Sequence, residues 1–266
     1  MNGTWDDLLY IGTAGYSYPD WVGAVYPKGT KKADMLELYA REFGFSEINS
    51  TYYHLPGWKM IEGLAKKTPP GFRFAVKAFQ QMTHARDAGQ EVFVQFAGAL
   101  SPLVETGKMA CVLAQFPYSF HCSQENRDYL RKFRELLPDL PVAVEFRNQR
   151  WVRQDTFELL KEERMAYVCV DEPDLKGLVK PLAVVTAPTA YLRFHGRNAA
   201  RWYDHRESYE RYDYLYTEAE LRDWLPRIAV LQERADEVYV SFNNHYRGQA
   251  VTNARMIREM IRSAGI

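Results

Sequence analysis

Cysteine is scarce in this chain of 266 residues, which contains only Cys111, Cys122 and Cys169. No C-x-x-C pair occurs, so a zinc site built on paired cysteines is excluded, and an odd number of thiols gives no disulfide framework. Cys111 and Cys169 lie within apolar runs, where a buried, unreactive thiol is the expected state. We therefore expect no disulfide and no cysteine-based metal site.

An excess of charge of either sign is also absent, since Lys and Arg together number 34 and Asp and Glu together number 34. Without net charge there is no general field to hold a polyanion or a membrane, so nucleic-acid binding would need a local basic patch. No apolar stretch approaches the length of a membrane span, and residues 1–9 lack the pattern of a signal peptide. We expect a soluble, cytoplasmic protein with no membrane partner, and a monomer by default.

Glycine-rich nucleotide-binding motifs are missing as well. Neither G-x-G-x-x-G nor G-x-x-x-x-G-K-[ST] follows any apolar run, which argues against the nucleotide-binding forms of an open doubly wound sheet. No Gly/Ser linker, break in composition or long-period repeat divides the chain. Because about 250 residues are typical of an α/β barrel, we interpret residues 1–266 as a single domain. The sequence identifies no cofactor.

What the sequence does contain is a regular alternation of short, β-rich apolar runs with segments of helical period. Eight such strands with intervening helices predict an α/β protein with a single (β/α)8 TIM barrel. The connection 172–189 is the least helical, and residues 196–217 form a long insertion. The predicted strands are residues 8–12, 46–49, 72–77, 109–115, 142–147, 166–171, 190–195 and 237–243, and helical spacing is clearest at residues 35–43, 130–137, 157–160, 221–231 and 254–261.

Polar side chains occupy the inward positions at the carboxyl ends of the predicted strands. Because strand side chains alternate between two faces, the apolar positions that pack on the helices leave the other set pointing into the barrel. Barrel enzymes build their sites at this end. On this alternation, Asp171 shares the inward face with Tyr167 and Cys169. The other inward side chains predicted near the strand ends are Glu47, Asn49, Lys77, Glu145, Arg147, Arg193, His195 and Asn243.

Five segments near the strand ends are distinctive in combination: IGTAGYSY at 11–18, EINSTYY at 47–53, EFR at 145–147, YLRFHG at 191–196 and VYVSFNN at 238–244. Together they resemble the YecE-like family, a bacterial and archaeal group of domains of unknown function. The resemblance extends from the first strand to the last helix. It implies a TIM barrel, in agreement with the strand count, and it implies no particular activity.

The ring of ionisable side chains predicts an enzyme, or a binding protein, for a small polar or anionic ligand such as a sugar or a phosphate-bearing molecule. Glu47 and Glu145 suit the general acid–base chemistry of a hydrolase or isomerase, and Asp171 and His195 are further catalytic candidates. Arginine forks bind carboxylates and phosphates. The predicted ligand-binding residues are Lys77, Arg147, Arg193, Asn49, Asn243, Asn244, Tyr16 and Tyr53.

Two alternatives concern the charged ring itself. The carboxylates and arginines could form a buried network that only closes the barrel, although such a network is costly to desolvate. A metal site could instead combine His195 with Glu145, Asp171 and either His84 or His245. Because no H-x-H or H-x-x-x-H pair gives ligand spacing, we assign no metal ligand.

A second function class is a nucleic-acid-binding protein or a metal-dependent phosphodiesterase resembling barrel endonucleases. Its support is the mixture of histidines and carboxylates, together with the Tyr- and Arg-rich segment 201–216. Acidic residues outnumber arginines in that segment, which makes it a poor track for phosphates. A lid that packs its own aromatic side chains is the favoured interpretation, and a non-catalytic ligand sensor is a third alternative.

Overall fold

Eight parallel strands pair in chain order, and the last pairs with the first, so the sheet closes into a barrel. This arrangement confirms the predicted TIM barrel. The computed structural model describes residues 9–266, so Leu8 of the first predicted strand and the segment 1–8 lie outside it. The strands are β1 (Leu9–Ala14), β2 (Phe45–Ile48), β3 (Arg73–Lys77), β4 (Met109–Gln115), β5 (Val142–Glu145), β6 (Met165–Asp171), β7 (Thr189–Phe194) and β8 (Glu237–Phe242).

α-Helices pack around the outside of the barrel, as the helical periods predicted. The period over 221–231 belongs to two helices. Thr217 and Glu220 form a capping box that begins the first of them, and Pro226 lies in the opening turn of the second, where a missing N–H costs nothing. The helices are α1 (Met35–Tyr39), α2 (Trp58–Lys66), α3 (Gln90–Ala99), α4 (Ser101–Glu105), α5 (Gln124–Glu135), α6 (Gln154–Glu162), α7 (Glu218–Arg222), α8 (Leu225–Arg234) and α9 (Gln249–Ala264).

The apolar side chains divide into an outer layer between strands and helices and a smaller cluster inside the barrel. Phe45, Tyr191 and Tyr239 fill the interior with rings whose centroids lie 5.0–6.4 Å apart. These bulky residues occupy the same faces of β2, β7 and β8 as the polar residues that follow them. The packed interior therefore forms a floor, and the inward polar side chains lie above it at the carboxyl end.

Strand β6 reverses the alternation that its sequence suggested. Val168 and Val170 belong to the interior cluster, whereas Tyr167 and Cys169 pack in the outer layer. Asp171 continues the outer set, so the prediction that it points into the barrel was wrong. A strand buried on both faces is apolar throughout and gives no contrast of polarity from which to determine the parity.

Two segments singled out in the sequence contain no α-helix in the described chain. The connection between β6 and β7, which the sequence indicates as the least helical, has no helix, and the insertion at residues 196–217 after β7 contains only the short 3₁₀ helices Ala199–Arg201 and Ser208–Tyr212. Trp202 packs edge-on against Tyr212, which supports the interpretation of this insertion as a lid that packs its own aromatics. No helix within residues 9–266 combines the length and the apolar character needed to cross a membrane.

Candidate functional site

The carboxyl ends of the strands surround a cavity of about 600 Å³. Charged side chains from β2, β3, β7 and the end of β5 lie at its base, and tyrosines from the following loops form its wall. This is the end of the barrel at which the sequence predicted a site. The predicted site residues that line the cavity are Glu47, Asn49, Lys77, Arg147, Arg193, Asn243, Tyr16 and Tyr53.

Arg193 is the centre of the charged cluster and is only 2% exposed. Its Nε and Nη2 atoms donate to the two oxygens of Glu47 at 2.9 and 2.6 Å, and its Nη1 donates to Glu145. Tyr191 and Ser241 also donate to Glu47, at 2.6 and 3.3 Å. Arg193 therefore joins β2, β5 and β7, and its donors are committed to the two carboxylates.

Arg147 extends this cluster toward the rim of the cavity. Its Nε lies 2.6 Å from Glu145 Oε1, at an angle unsuited to a hydrogen bond, and its Nη1 donates to Glu172 at 3.2 Å. Burial alone would raise the pKa of the Glu145 carboxyl, but Arg147 and Arg193 outweigh it and hold that pKa well below its usual range. Glu145 is thus locked in its ionised form and is completely buried.

Glu172 is a buried member of the cluster that the sequence analysis missed. Besides pairing with Arg147, it accepts a hydrogen bond from the Val179 amide at 2.9 Å. It continues the inward alternation of Val168 and Val170, so the correct parity of β6 would have identified it. Burial raises the pKa of Glu172 to about 7, even though Arg147 lowers it. Among the described carboxylates with a shifted pKa, Glu172 is thus the one that titrates near neutral pH.

We expect the substitution Glu172→Gln to change the pH dependence of stability. A carboxyl whose pKa rises on folding stabilises the fold below its unfolded value of 4.5 and loses that contribution as the pH rises to about 7. The wild-type advantage over the variant should therefore fall by about 3 kcal/mol between about pH 4 and about pH 8. Urea unfolding at a series of pH values measures this difference.

The exposed Glu259 on α9 provides a matched control as Glu259→Gln. Other groups titrate in the wild type and in both variants, so their contributions cancel in each comparison. A difference between wild type and Glu172→Gln that stays constant over this range would contradict the shifted pKa.

His195 lies behind the cavity-lining residues and is completely buried. Its Nδ1 is 3.1 Å from the Asn243 side-chain amide, and its Nε2 is 3.2 Å from Glu145 Oε1. With Asn243 as donor, the neutral ring carries its proton on Nε2, facing the carboxylate. Burial, with the charge of Arg147, lowers the pKa of His195 to about 3. His195 is thus a neutral side chain that accepts from Asn243 and lies beside Glu145 without a well-aligned hydrogen bond to it, and it does not line the cavity.

Lys77 differs from the two arginines because its ammonium makes no ion pair and donates no hydrogen bond within residues 9–266. Its Nζ lies 4.6 Å from the centroid of the Tyr52 ring, over the ring face. Burial lowers the pKa of Lys77 to about 8, and the nearby charge of Arg193 adds to the effect. Lys77 is therefore a cation at the cavity whose charge the protein does not pair directly.

Aromatic and amide groups complete the wall. Tyr18 stacks on His245 at 4.4 Å, Tyr16 and Tyr52 are half-buried beside the cavity, and Tyr53 at the rim is 63% exposed. The buried Asn49 Oδ1 has no hydrogen-bond partner in the described chain. The wall thus combines aromatic rings with amide side chains, which suit a polar ligand with hydroxyl groups.

Asp171 and its neighbours form a separate cluster on the outer side of the barrel. Arg197 donates to both oxygens of Asp171, at 2.8 and 2.6 Å, and the Tyr216 hydroxyl and Trp224 indole each donate at 2.7 Å. Four donors thus hold the carboxylate between β6, the lid and the segment that begins α8. Asp171 does not line the cavity, and these contacts indicate a structural role.

Asn244 also lies outside the cavity. Its side-chain amide donates to the Tyr214 carbonyl and to Asn253 on α9, both at 2.8 Å, and so ties the lid to the last helix. Tyr212, from the same lid, lines the cavity and was not among the predicted site residues. No periodic pattern marked it, because irregular loops place side chains through local hydrogen bonds that one sequence does not reveal.

The metal site considered from the sequence is not assembled in the part of the chain that the structure describes. No group of three His, Cys, Asp or Glu side chains there could hold an ion together. His195 faces Glu145, but Asp171 lies on the outer side of β6 and His245 stacks on Tyr18.

Residues 10–265 match the model of the family described as "Protein of unknown function DUF72". The chain is 34% identical over 270 residues to the UPF0759 protein YunF of Bacillus subtilis (strain 168). The aligned region covers 96% of this chain and 95% of that protein. A crystal structure of a DUF72 family protein from Thermotoga maritima MSB8 shares 41% identity at a TM-score of 0.89, covering 96% of this chain and 99% of that one.

A DUF72 family protein from Enterococcus faecalis V583 shares 29% identity at a TM-score of 0.86, covering 96% of each chain. A xylose isomerase domain containing protein from Salmonella typhimurium LT2 shares 13% identity at a TM-score of 0.51, covering 86% of this chain and 91% of that one, and this likeness extends to the fold alone. The match to the family model and the identity to YunF together show that the chain belongs to the DUF72 family.

Proposed function

We propose that the protein is an enzyme that binds a small anionic molecule in the cavity, through Lys77 and Arg147. The observation that carries this proposal is the pair of cationic donors that the protein leaves open there. Among the described residues, Lys77 has no carboxylate partner and Arg147 Nη2 donates no hydrogen bond, although Arg147 Nε and Nη1 face Glu145 and Glu172. A carboxylate or phosphate group would complete these donors.

The charges of the cluster support an anionic ligand over a cationic one. The single positive charge of Arg193 neutralises one of the two negative charges of Glu47 and Glu145. The other negative charge is shared between Lys77 and Arg147. The burial of Glu172 raises its pKa and thus reduces the negative charge available near neutral pH. An anion between Lys77 and Arg147 would therefore bind in a partly desolvated site, where such attraction is stronger than in water.

The remaining wall favours a polar, hydroxyl-bearing body for the ligand. Asn49 and Asn243 supply amide groups, while Tyr16 and Tyr53 supply ring faces. A cavity of about 600 Å³ accommodates a molecule of metabolite size. A sugar phosphate or a hydroxylated organic acid combines these properties, and we propose this class as substrate.

The carboxylates have positioning roles in this site, in place of the acid–base roles that their sequence positions suggest. Glu47 and Glu145 hold the arginines and are committed to them, so we assign both to positioning rather than to proton transfer. His195 is neutral and buried behind Glu145, and we assign it to orienting that carboxylate. Lys77 is the group that combines contact with the cavity and a pKa of about 8, so we assign proton transfer to it.

A thermal-shift experiment tests the anion site. Inorganic phosphate in about hundredfold excess over its Kd should raise the Tm by about 5 °C or more, at constant ionic strength. Lys77→Met should abolish most of this response because it removes the open charge, while Lys59→Met, at an exposed position of α2, should retain it.

Two results would contradict the proposal. An equal phosphate response in the wild type and in Lys77→Met would place the anion elsewhere. Salt-sensitive binding of single-stranded DNA without any phosphate response would favour the nucleic-acid alternative.

A further inference from the structure

Lys77 occupies a position in the cluster that anion binding alone does not explain. It continues the inward alternation of Ala75 at the end of β3, and its side chain reaches the same cavity as Arg147 and Arg193. Glu47 and Glu145 form ion pairs with those arginines. The ammonium of Lys77 instead contacts the face of the Tyr52 ring. A lysine meant only to neutralise a carboxylate would be paired with one.

We propose that Lys77 is a nucleophile that forms an imine with a small carbonyl compound bearing an anionic group. This inference rests on the proposed function, because it uses the same cavity and the same anion-binding arginine. Imine formation near neutral pH is favoured by an amine that is reachable by the substrate, free of a carboxylate ion pair that would hold it as ammonium, and desolvated or close to another cation. Lys77 meets these three conditions in the described chain.

The surroundings of Lys77 favour the neutral amine. Burial, together with Arg193, lowers its pKa from 10.5 to about 8, against the opposing charges of Glu145 and Glu47. At neutral pH about one molecule in ten then carries the free amine, compared with about one in three thousand for an ordinary lysine. Cationic neighbours and desolvation are the means by which lysines become nucleophilic near neutral pH.

The step is balanced without any further reactant. The lone pair of the neutral Nζ attacks the carbonyl carbon, and the carbonyl π electrons move to oxygen, which takes up a proton. The nitrogen of the carbinolamine then re-forms a lone pair by losing a proton and expels the hydroxyl group, which leaves as water after protonation. Overall, an ammonium ion and a carbonyl compound give a protonated imine and one water molecule.

The anionic group follows from a second cation of the same cavity. Arg147 lines the cavity together with Lys77, and its charge is one of those that lower the pKa of Lys77. A carboxylate or phosphate on Arg147 would deliver a carbonyl carbon to the amine. The substrate class is therefore a 2-oxo acid or a phosphorylated aldehyde or ketone.

Trapping with borohydride tests the proposal on the wild-type protein. Pyruvate and pyridoxal phosphate serve as separate probes, one for each type of anion. After brief incubation near pH 7, reduction and proteolysis, mass spectrometry measures the adduct on each lysine-containing peptide. At least one probe should label Lys77 about tenfold or more above the exposed Lys59. Labelling of Lys77 no higher than that of Lys59 with both probes would overturn the proposal.

The same samples separate the failure of this proposal from the failure of the proposed function. Phosphate stabilisation without an adduct on Lys77 would overturn the imine and leave the anion site intact. Suppose instead that Lys77 is labelled, that inorganic phosphate does not slow the labelling, and that phosphate does not raise the Tm. That result would overturn the anionic substrate class. Labelling of Lys77 that phosphate slows, in a protein that phosphate stabilises, supports both.

Discussion

Replacing Arg193 with methionine is expected to lower the free energy of unfolding by about 3–5 kcal/mol. The substitution keeps most of the side-chain volume but leaves the buried Glu47 without its ion-pair partner and the buried Glu145 with Arg147 as its remaining arginine. Removing one partner of a buried, hydrogen-bonded ion pair strands the other in a medium that solvates it poorly. Urea unfolding followed by circular dichroism measures the loss.

Two comparisons define the origin of this loss. Arg258→Met removes a partly exposed pair with Glu42 and should change stability by no more than about 1 kcal/mol. Adding Glu47→Gln to Arg193→Met removes one stranded charge and should restore part of the stability. A loss equal to that of Arg258→Met would show that the buried cluster contributes no more than a surface pair.

Asp171→Asn is expected to destabilise the fold by about 3 kcal/mol without weakening the phosphate response of the folded protein. The carboxylate accepts hydrogen bonds from Arg197, Tyr216 and Trp224. In asparagine an NH2 group replaces one of the two accepting oxygens, so some of these donors would face another donor. The buried indole and hydroxyl would then lose a partner, which costs more than the loss of a solvated contact. The affinity should stay near the wild-type value because the cluster lies outside the cavity.

Asp223→Asn, at an exposed position that follows α7, is the matched control and should change stability little. The sequence pattern instead indicates Asp171 as a catalytic candidate. A variant with wild-type stability and a reduced phosphate response would support that prediction and contradict the structural role.

The barrel could be predicted because its eight strands are short, apolar and separated by clear helical periods. The inward faces of β2, β3, β5, β7 and β8 were also predictable, since apolar and polar residues alternate around the carboxyl end of each strand. Glu47, Lys77, Glu145, Arg147 and Arg193 were therefore identified as a group. Their convergence follows from the fold alone, because parallel strands end at one mouth.

The pairing within that group could not be predicted. Sequence places Glu145 and Arg193 on the same rim but does not say which carboxylate receives which guanidinium, since that depends on angles around the barrel and on strand tilt. The sequence places Asp171 on the inward face, whereas Glu172 occupies it in the structure, and this error has a different reason. Both are acidic and adjacent, and the apolar run before them fits either parity. Tyr212 reaches the cavity from the lid, whose irregular backbone has no sequence periodicity from which this position could be predicted.

The contacts of Arg193 also bear on the rate at which the barrel opens. They join residues 146 and 48 positions apart in the chain. Because loop-closure entropy must be overcome before such contacts can form, we expect them to be absent from the folding transition state. Interactions absent from the transition state affect mainly the unfolding rate, so the loss of Arg193 should shorten the lifetime of the native state while the refolding rate changes little.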